Sequence, residues 1–256
     1  MPEKTTSSNF HYLDWPVENV LALTTTRHHP LGEDRQRTAQ PFNYFNLGLH
    51  VGDSLEQVEK NRQVLLEYLP SNSRIQWLEQ VHGGDVAEVT QYRKTPYVAD
   101  AAFTREKGIA LAVMTADCLP ILLAAKNGSE VAAIHGGWRP LAGNIIERTV
   151  QKLNSLPGEL NAWLGPCIGA TAFEVGEEVR QAFLNQNKDF ILAFMPAGAK
   201  GKYLADLHRI ATIQLKQLGI NKLSSKPDCT YSMPQDYYSY RRDGQTGRMA
   251  SLITCL

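Results

Sequence analysis

The chain has no surplus of charge. Its 26 basic and 26 acidic side chains cancel over 256 residues, and its pI is about 7.0. An even balance gives no electrostatic footing for a nucleic acid or an anionic membrane, so neither is expected as a partner. Small basic clusters can still hold a small anion. Cysteine is scarce: Cys118, Cys167, Cys229 and Cys255 lie far apart, with no C-x-x-C pair. That argues against a disulfide framework and fits a reducing compartment. Met1 to Ser8 are polar and lack the apolar core of a secretory signal. The most apolar run, Ile109 to Ala125, is interrupted by Thr115, Asp117 and Pro120 and makes a poor membrane span. These features lead us to expect a soluble cytoplasmic protein; its expected assembly, on which they do not bear, is a monomer or homodimer.

Several chemical signatures are also missing. There is no Walker A or G-x-G-x-x-G phosphate loop, no G-x-S-x-G nucleophile elbow and no H-E-x-x-H zinc motif. The nucleobase-deaminase pattern fails as well, because Pro166-Cys167 lacks a second cysteine. With seven histidines, several of them in expected loops (His11, His28, His29), a full multicopper centre has too few ligands.

The chain is 43% hydrophobic, enough to bury a sizeable core. Val20 to Arg27 reads as a strand, and His28 to Phe42 as a polar loop. Ser54 begins a helix with a capping-box pattern, and Pro70 ends it. Within it, Arg62 reads most simply as a solvated or snorkelling side chain. Residues 74–81, 85–90, 99–104, 109–125, 131–135 and 161–167 read as strands. Leu141–Leu156, about 175–187 and about 205–218 read as helices. The last stretch reads as strand, aromatic-rich loop and strand. Strands and helices mix without regular βα alternation. We therefore expect an α+β fold: a tail and approach over 1–19, then one domain with mixed β-sheets over 20–256.

Three stretches stand out. Ala116-Asp117-Cys118-Leu119-Pro120 puts an acid, a thiol and a proline inside an apolar run. Gln80-Val81-His82-Gly83-Gly84 and Ala133-Ile134-His135-Gly136-Gly137-Trp138 each place a histidine before glycines. One cysteine and two histidines supply three soft or borderline donors, the pattern of a metal site with an open position. Glycines beside them let backbone or ligand approach closely. Asp117 is suited to orienting a ligand or binding a polar substrate group. The residue types alone leave alternatives open. A histidine before glycine is often structural, a buried cysteine often acts as a small hydrophobe, and the gaps between the three match no short metal motif.

Taken in order along the chain, these segments resemble the bacterial YfiH/YlmD family of laccase-domain, polyphenol-oxidase-like proteins. The matching stretches include Thr25-Thr26-Arg27, Asn46-Leu47-Gly48, Asn61-Arg62, Trp77 to Gly83 and Ala99-Asp100-Ala101. They continue through Thr115 to Pro120, His135 to Arg139, Leu164-Gly165-Pro166, Phe173 to Gly176, Cys229-Thr230 and Ser239 to Arg242. The resemblance implies a four-layer α/β/β/α domain with a zinc-type metal held by His82, Cys118 and His135. It implies phosphorolysis of purine nucleosides (adenosine, inosine, methylthioadenosine) and adenosine deamination, with a small-molecule nucleoside and phosphate as the partners. Phosphate suits arginine, which donates bidentately. Arg27, Arg62 and Arg241 are the candidates, and Gln80 joins them as a substrate-binding residue. Cys118, His135 and Asp117 are the catalytic candidates. Two rival readings are a copper-dependent polyphenol oxidoreductase and a cysteine hydrolase with Cys118 as nucleophile and His135 as its base. The chain departs from the family pattern at His28-His29-Pro30-Leu31-Gly32 and at Gly136 and Pro140. The latter fixes φ where the next helix begins.

Overall fold

The structure, a computed structural model, describes residues 10–13, 15–32 and 40–256. The tail expected before residue 10 and the middle of the 28–42 loop lie outside these residues. A five-stranded sheet runs in the order Phe10–Tyr12, Val20–Thr25, Met249–Cys255, Ile109–Thr115 and Arg74–Gln76. A six-stranded sheet runs Lys222–Ser225, Leu160–Leu164, Leu119–Ala125, Val131–Gly136, Ala101–Thr104 and Val86–Glu88. Both are mixed: most pairs are antiparallel, but 74–76 runs parallel to 109–115, as 222–225 does to 160–164.

Side-chain alternation along the central strands sets the layers. In Ile109–Thr115, Ile109, Leu111 and Val113 face a core between the sheets. Ala110 and Ala112 face the helix Leu55–Leu66 through Leu65, with Leu69 just beyond its end. In Leu119–Ala125, Leu122 and Ala124 enter the inter-sheet core, while Leu119, Ile121, Leu123 and Ala125 face the helices Ile145–Val150, Glu177–Leu184 and Leu207–Gln217. Each central strand is thus buried on both faces, which is why both read as apolar runs. The result is the expected α/β/β/α arrangement.

The structure refines several local expectations. The run 109–125 is two strands, one in each sheet, and the chain crosses between them at Ala116-Asp117-Cys118. The crossing needs a sharp turn, and Asp117 takes a φ of 105° there. The helix expected over 141–156 is two short helices, Trp138–Ala142 and Ile145–Val150. Asn144 separates them with a φ of 59°, a left-handed conformation that asparagine tolerates better than most residues. Pro140 sits in the first turn of the earlier helix, where its missing N–H leaves no helical bond unmade. Finally, Phe10–Tyr12 and the polar Lys222–Ser225 form edge strands recruited by pairing with apolar neighbours. Among the described residues, no helix is long and apolar enough to cross a membrane.

Candidate metal centre and its pocket

Three chain reversals meet at one end of the paired sheets. Cys118 follows the crossing between them. His135 lies near the end of Val131–Gly136, paired with Pro120 of the neighbouring strand. His82 occupies the turn after Leu78–Glu79, with a φ of 58°. The ligand atoms of His82, Cys118 and His135 all lie within 4.8 Å of one another. His82 Nε2 is 3.9 Å from Cys118 Sγ, and the two imidazoles meet edge-on with centroids 4.8 Å apart. Among the described residues this is the one group of His, Cys, Asp and Glu side chains able to hold a metal ion.

The surroundings suit that use. His135 is 3% exposed, and its Nδ1 lies 2.7 Å from Asp100 Oδ1. The ring nitrogen that would face a metal is therefore Nε2. Burial opposes charge on Cys118, but the adjacent imidazoles of His135 and His82 outweigh it and bring the thiol pKa down to about 6. Burial likewise opposes charge on His135, yet the Cys118 thiolate and Asp100 raise its pKa to about 9. The two imidazoles therefore favour the thiolate of Cys118, the form of cysteine that binds a metal, and a metal on the site would take the His135 imidazole without its Nε2 proton. A thiolate, two imidazoles and a carboxylate behind one of them fit zinc or copper.

Gly137 leaves the space for this convergence. A Cβ there would sit 3.2 Å from Cys118 Sγ and 3.3 Å from His82 Cδ2. Gly137→Ala is expected to lower metal affinity about tenfold, comparable to disturbing an outer-shell contact. Chelator competition measures the loss, and unchanged affinity would show that the ligands move apart freely.

The three ligands open into a cavity of about 620 Å³, within the usual size for a small-molecule site. Of the expected substrate residues, Gln80 and Arg241 line it and Arg27 and Arg62 do not. Arg27 donates to Asn43 O and Pro234 O and lies over the Tyr238 ring, clamping two loops together. Arg62 is half-buried rather than fully solvated. Its Nε and Nη2 donate to Leu47 O, its guanidinium lies 3.9 Å from the Trp77 ring centroid, and burial draws its pKa down to about 10. Gln80 brackets Met114, donating to its carbonyl at 2.8 Å and accepting from its N–H at 2.7 Å. Asp117 lines the cavity but is 9% exposed, and both its carboxylate oxygens are engaged. Oδ1 accepts from Thr230 Oγ1 at 2.7 Å, and Oδ2 accepts from Arg241 N at 2.6 Å. It fastens the Tyr240–Asp243 turn over the pocket.

Sequence reasoning did not single out Arg139, Arg248 and His50 for this cavity, nor its aromatic wall of Trp138, Phe173 and Tyr240. Arg139 lies within the quoted His135 to Arg139 motif, a signal that was available. His50 lies in the stretch His50-Val51-Gly52-Asp53, which also matches the family pattern, whereas Arg248 lies in none of the matching stretches and reaches the pocket only through the fold. Arg248 Nη1 donates to Thr246 O and Gly247 O. Burial, then the charges of Arg248 and Arg62, lower the pKa of His50.

Comparisons with known proteins agree with this architecture. A family model described as multi-copper polyphenol oxidoreductase laccase matches residues 22–256. The Escherichia coli protein named purine nucleoside phosphorylase YfiH is 44% identical over 240 residues, 93% of this chain and 96% of that protein. A Haemophilus influenzae purine nucleoside phosphorylase is 40% identical over 242 residues, 94% and 96% of the two chains. A crystal structure from Neisseria meningitidis superposes with a TM-score of 0.88 at 40% identity, over 96% of this chain and 99% of that one. YlmD from Geobacillus stearothermophilus gives a TM-score of 0.80 at 30% identity, over 94% and 93%. Sequence and fold together therefore place this chain in the YfiH/YlmD family, whose family model bears the laccase description.

Proposed function

We propose that the chain is a zinc-dependent purine nucleoside phosphorylase that cleaves adenosine, inosine and methylthioadenosine, and that the same pocket deaminates adenosine. The observation that carries this reading is the pairing of the His82–Cys118–His135 triad with three arginines in one cavity. Arg139 comes from the helix after His135, and Arg241 and Arg248 from the segment before the last strand. The one carboxylate among the lining residues, Asp117, is already engaged. A cavity of that composition takes an anion, and phosphate is the anion that phosphorolysis consumes. The names of the E. coli and H. influenzae relatives support the same reaction class.

In phosphorolysis a phosphate oxygen forms a bond to the ribose anomeric carbon. The bond from that carbon to the purine nitrogen breaks, and the purine leaves with the electron pair and takes up a proton. Arg139 and Arg241 line the pocket wall; Arg241 spends one N–H of Nη1 on Glu174 O at 3.0 Å and has further guanidinium N–H groups for an anion, and Asp117 fixes the backbone from which it projects. Trp138, Phe173 and Tyr240 supply flat apolar surface for a purine ring. A zinc ion on the triad would supply Lewis acidity to the pocket.

Purified protein with a measured zinc content, incubated with inosine, should release hypoxanthine and ribose 1-phosphate only when phosphate is present. Arg139→Gln and Arg241→Gln should each raise the KM for phosphate about 10- to 100-fold, the value of one or two charge-assisted hydrogen bonds. Turnover independent of phosphate would refute phosphorolysis, and inosine formed from adenosine would report the deaminase activity.

A second reading has its own observation. The depressed Cys118 thiol beside a protonated His135 is also the pairing of a cysteine hydrolase. That reading does not require His82. A copper oxidase acting through the same three ligands is the alternative suggested by the family description. Phenol oxidation dependent on copper would support it.

A further inference from the structure

Asp100 has so far entered only through its contact with the His135 ring, and it makes several more. Asp100 is 0% exposed and directly precedes the apolar strand Ala101–Thr104. An ionised carboxylate at such a place is strongly disfavoured unless its oxygens are satisfied. Both are. Oδ1 lies 2.7 Å from His135 Nδ1 and accepts from His82 N at 3.0 Å. Oδ2 accepts from Gly83 N at 2.6 Å and from Val81 N at 3.2 Å. The Asp100 carbonyl also accepts from His135 N at 2.7 Å. One residue thus holds the backbone of one histidine turn and both the ring and the backbone of the other.

These contacts determine two things. A proton on His135 Nδ1, donated to the carboxylate, leaves Nε2 as the nitrogen with a lone pair for a metal. Three successive N–H groups drawn onto the same carboxylate also hold His82 in its left-handed conformation, which a residue with a Cβ does not favour by itself. We infer that Asp100 is the positioning residue that makes His82 and His135 a ligand pair, and that metal affinity depends on its carboxylate rather than on its size. This inference rests on the triad holding a metal, not on which substrate is turned over.

Asp100→Asn keeps the size and removes one acceptor oxygen. Four donors then converge on one oxygen and an amide N–H₂. Either His135 gives up its Nδ1 proton and accepts from the amide, or the backbone bonds at 81–83 are lost. In competition with a chromogenic chelator, Asp100→Asn should bind zinc about 10- to 100-fold more weakly than the unaltered protein, with the same far-ultraviolet circular dichroism. Nitrogen-15 NMR of the unaltered zinc-loaded protein should show His135 protonated at Nδ1 and coordinated through Nε2. Unaltered zinc affinity in Asp100→Asn overturns the inference. So does coordination through Nδ1, a measurement that decides the matter even if the variant does not fold. Unaltered protein that fails to bind zinc also overturns it. Protein that binds zinc through His135 Nε2 but leaves nucleosides intact refutes the proposed activity and supports the role of Asp100.

Discussion

His82→Asn should abolish zinc retention and nucleoside turnover together. His82 contributes one of only three donor atoms in the cluster, and the remaining Cys118 and His135 form a two-ligand site. Disturbing an outer-shell partner already weakens metal binding by about 10- to 100-fold, and loss of a direct ligand should exceed that range. Asparagine is the informative replacement, because it tolerates the φ of 58° at this position better than alanine does. The turn held by Asp100 should therefore persist while the imidazole is lost. Elemental analysis after dialysis and an inosine phosphorolysis assay measure the two effects. The result also separates the rival readings. A cysteine hydrolase using Cys118 and His135 needs no metal, so phosphate-independent cleavage of inosine by metal-free His82→Asn protein would support that mechanism in place of ours.

Trp163→Ala should produce the largest loss of stability. Trp163 is 4% exposed and packs between the two sheets with Leu111, Leu122, Ala124 and Val131. It lies opposite Leu122 in the strand pair 160–164 and 119–125. The neighbouring chain has closed tightly around it, since a Cβ on Gly165 would lie 2.5 Å from its ring. Removing a buried tryptophan from such packing costs about 3–5 kcal/mol. A natural domain has only about 5–15 kcal/mol of total stability. The melting temperature should fall by on the order of 10 °C. The effect should reach the metal centre too, because Gly165 N donates to Pro120 O, two residues from Cys118. Thermal unfolding of the zinc-loaded and zinc-free variant measures both. A loss below about 1 kcal/mol would mean that the sheets can close over the gap.

Much of the fold was legible because the central strands are buried on both faces. A strand covered on each side needs apolar residues at nearly every position, so Ile109 to Ala125 and Val131 to Ile134 announced themselves. The same property hid the break between the sheets. Two doubly buried strands in sequence look like one, and only Asp117 and Pro120 marked the crossing. Lys222–Ser225 escaped notice for the opposite reason: it is a polar edge strand whose partner, not its composition, makes it a strand.

The site divides in a similar way. Ligand chemistry can be read from residue type, so His82, Cys118 and His135 were visible as candidates, and the structure brings their donor atoms together. Arginines are harder to assign, because a guanidinium serves a backbone carbonyl as readily as a phosphate. Arg27 and Arg62 are engaged in holding loops, whereas Arg139 and Arg248 reach the pocket. Asp117 was read as a catalytic candidate; it lines the pocket, and its two oxygens accept from Thr230 Oγ1 and Arg241 N.

The sequence by itself determined a mixed α+β domain and marked His82, Cys118 and His135 as candidate donors, and the family resemblance added the layering and their union in one metal site. Hydropathy and ligand chemistry are local properties of a chain, and both can be read residue by residue. Only the tertiary structure decided that an apparent single strand, Ile109 to Ala125, is the passage from one sheet to the other. It alone placed Cys118 at that passage and put one buried carboxylate, Asp100, behind both histidines. Those outcomes depend on contacts across 17 to 35 residues, and no local pattern encodes which distant groups will meet.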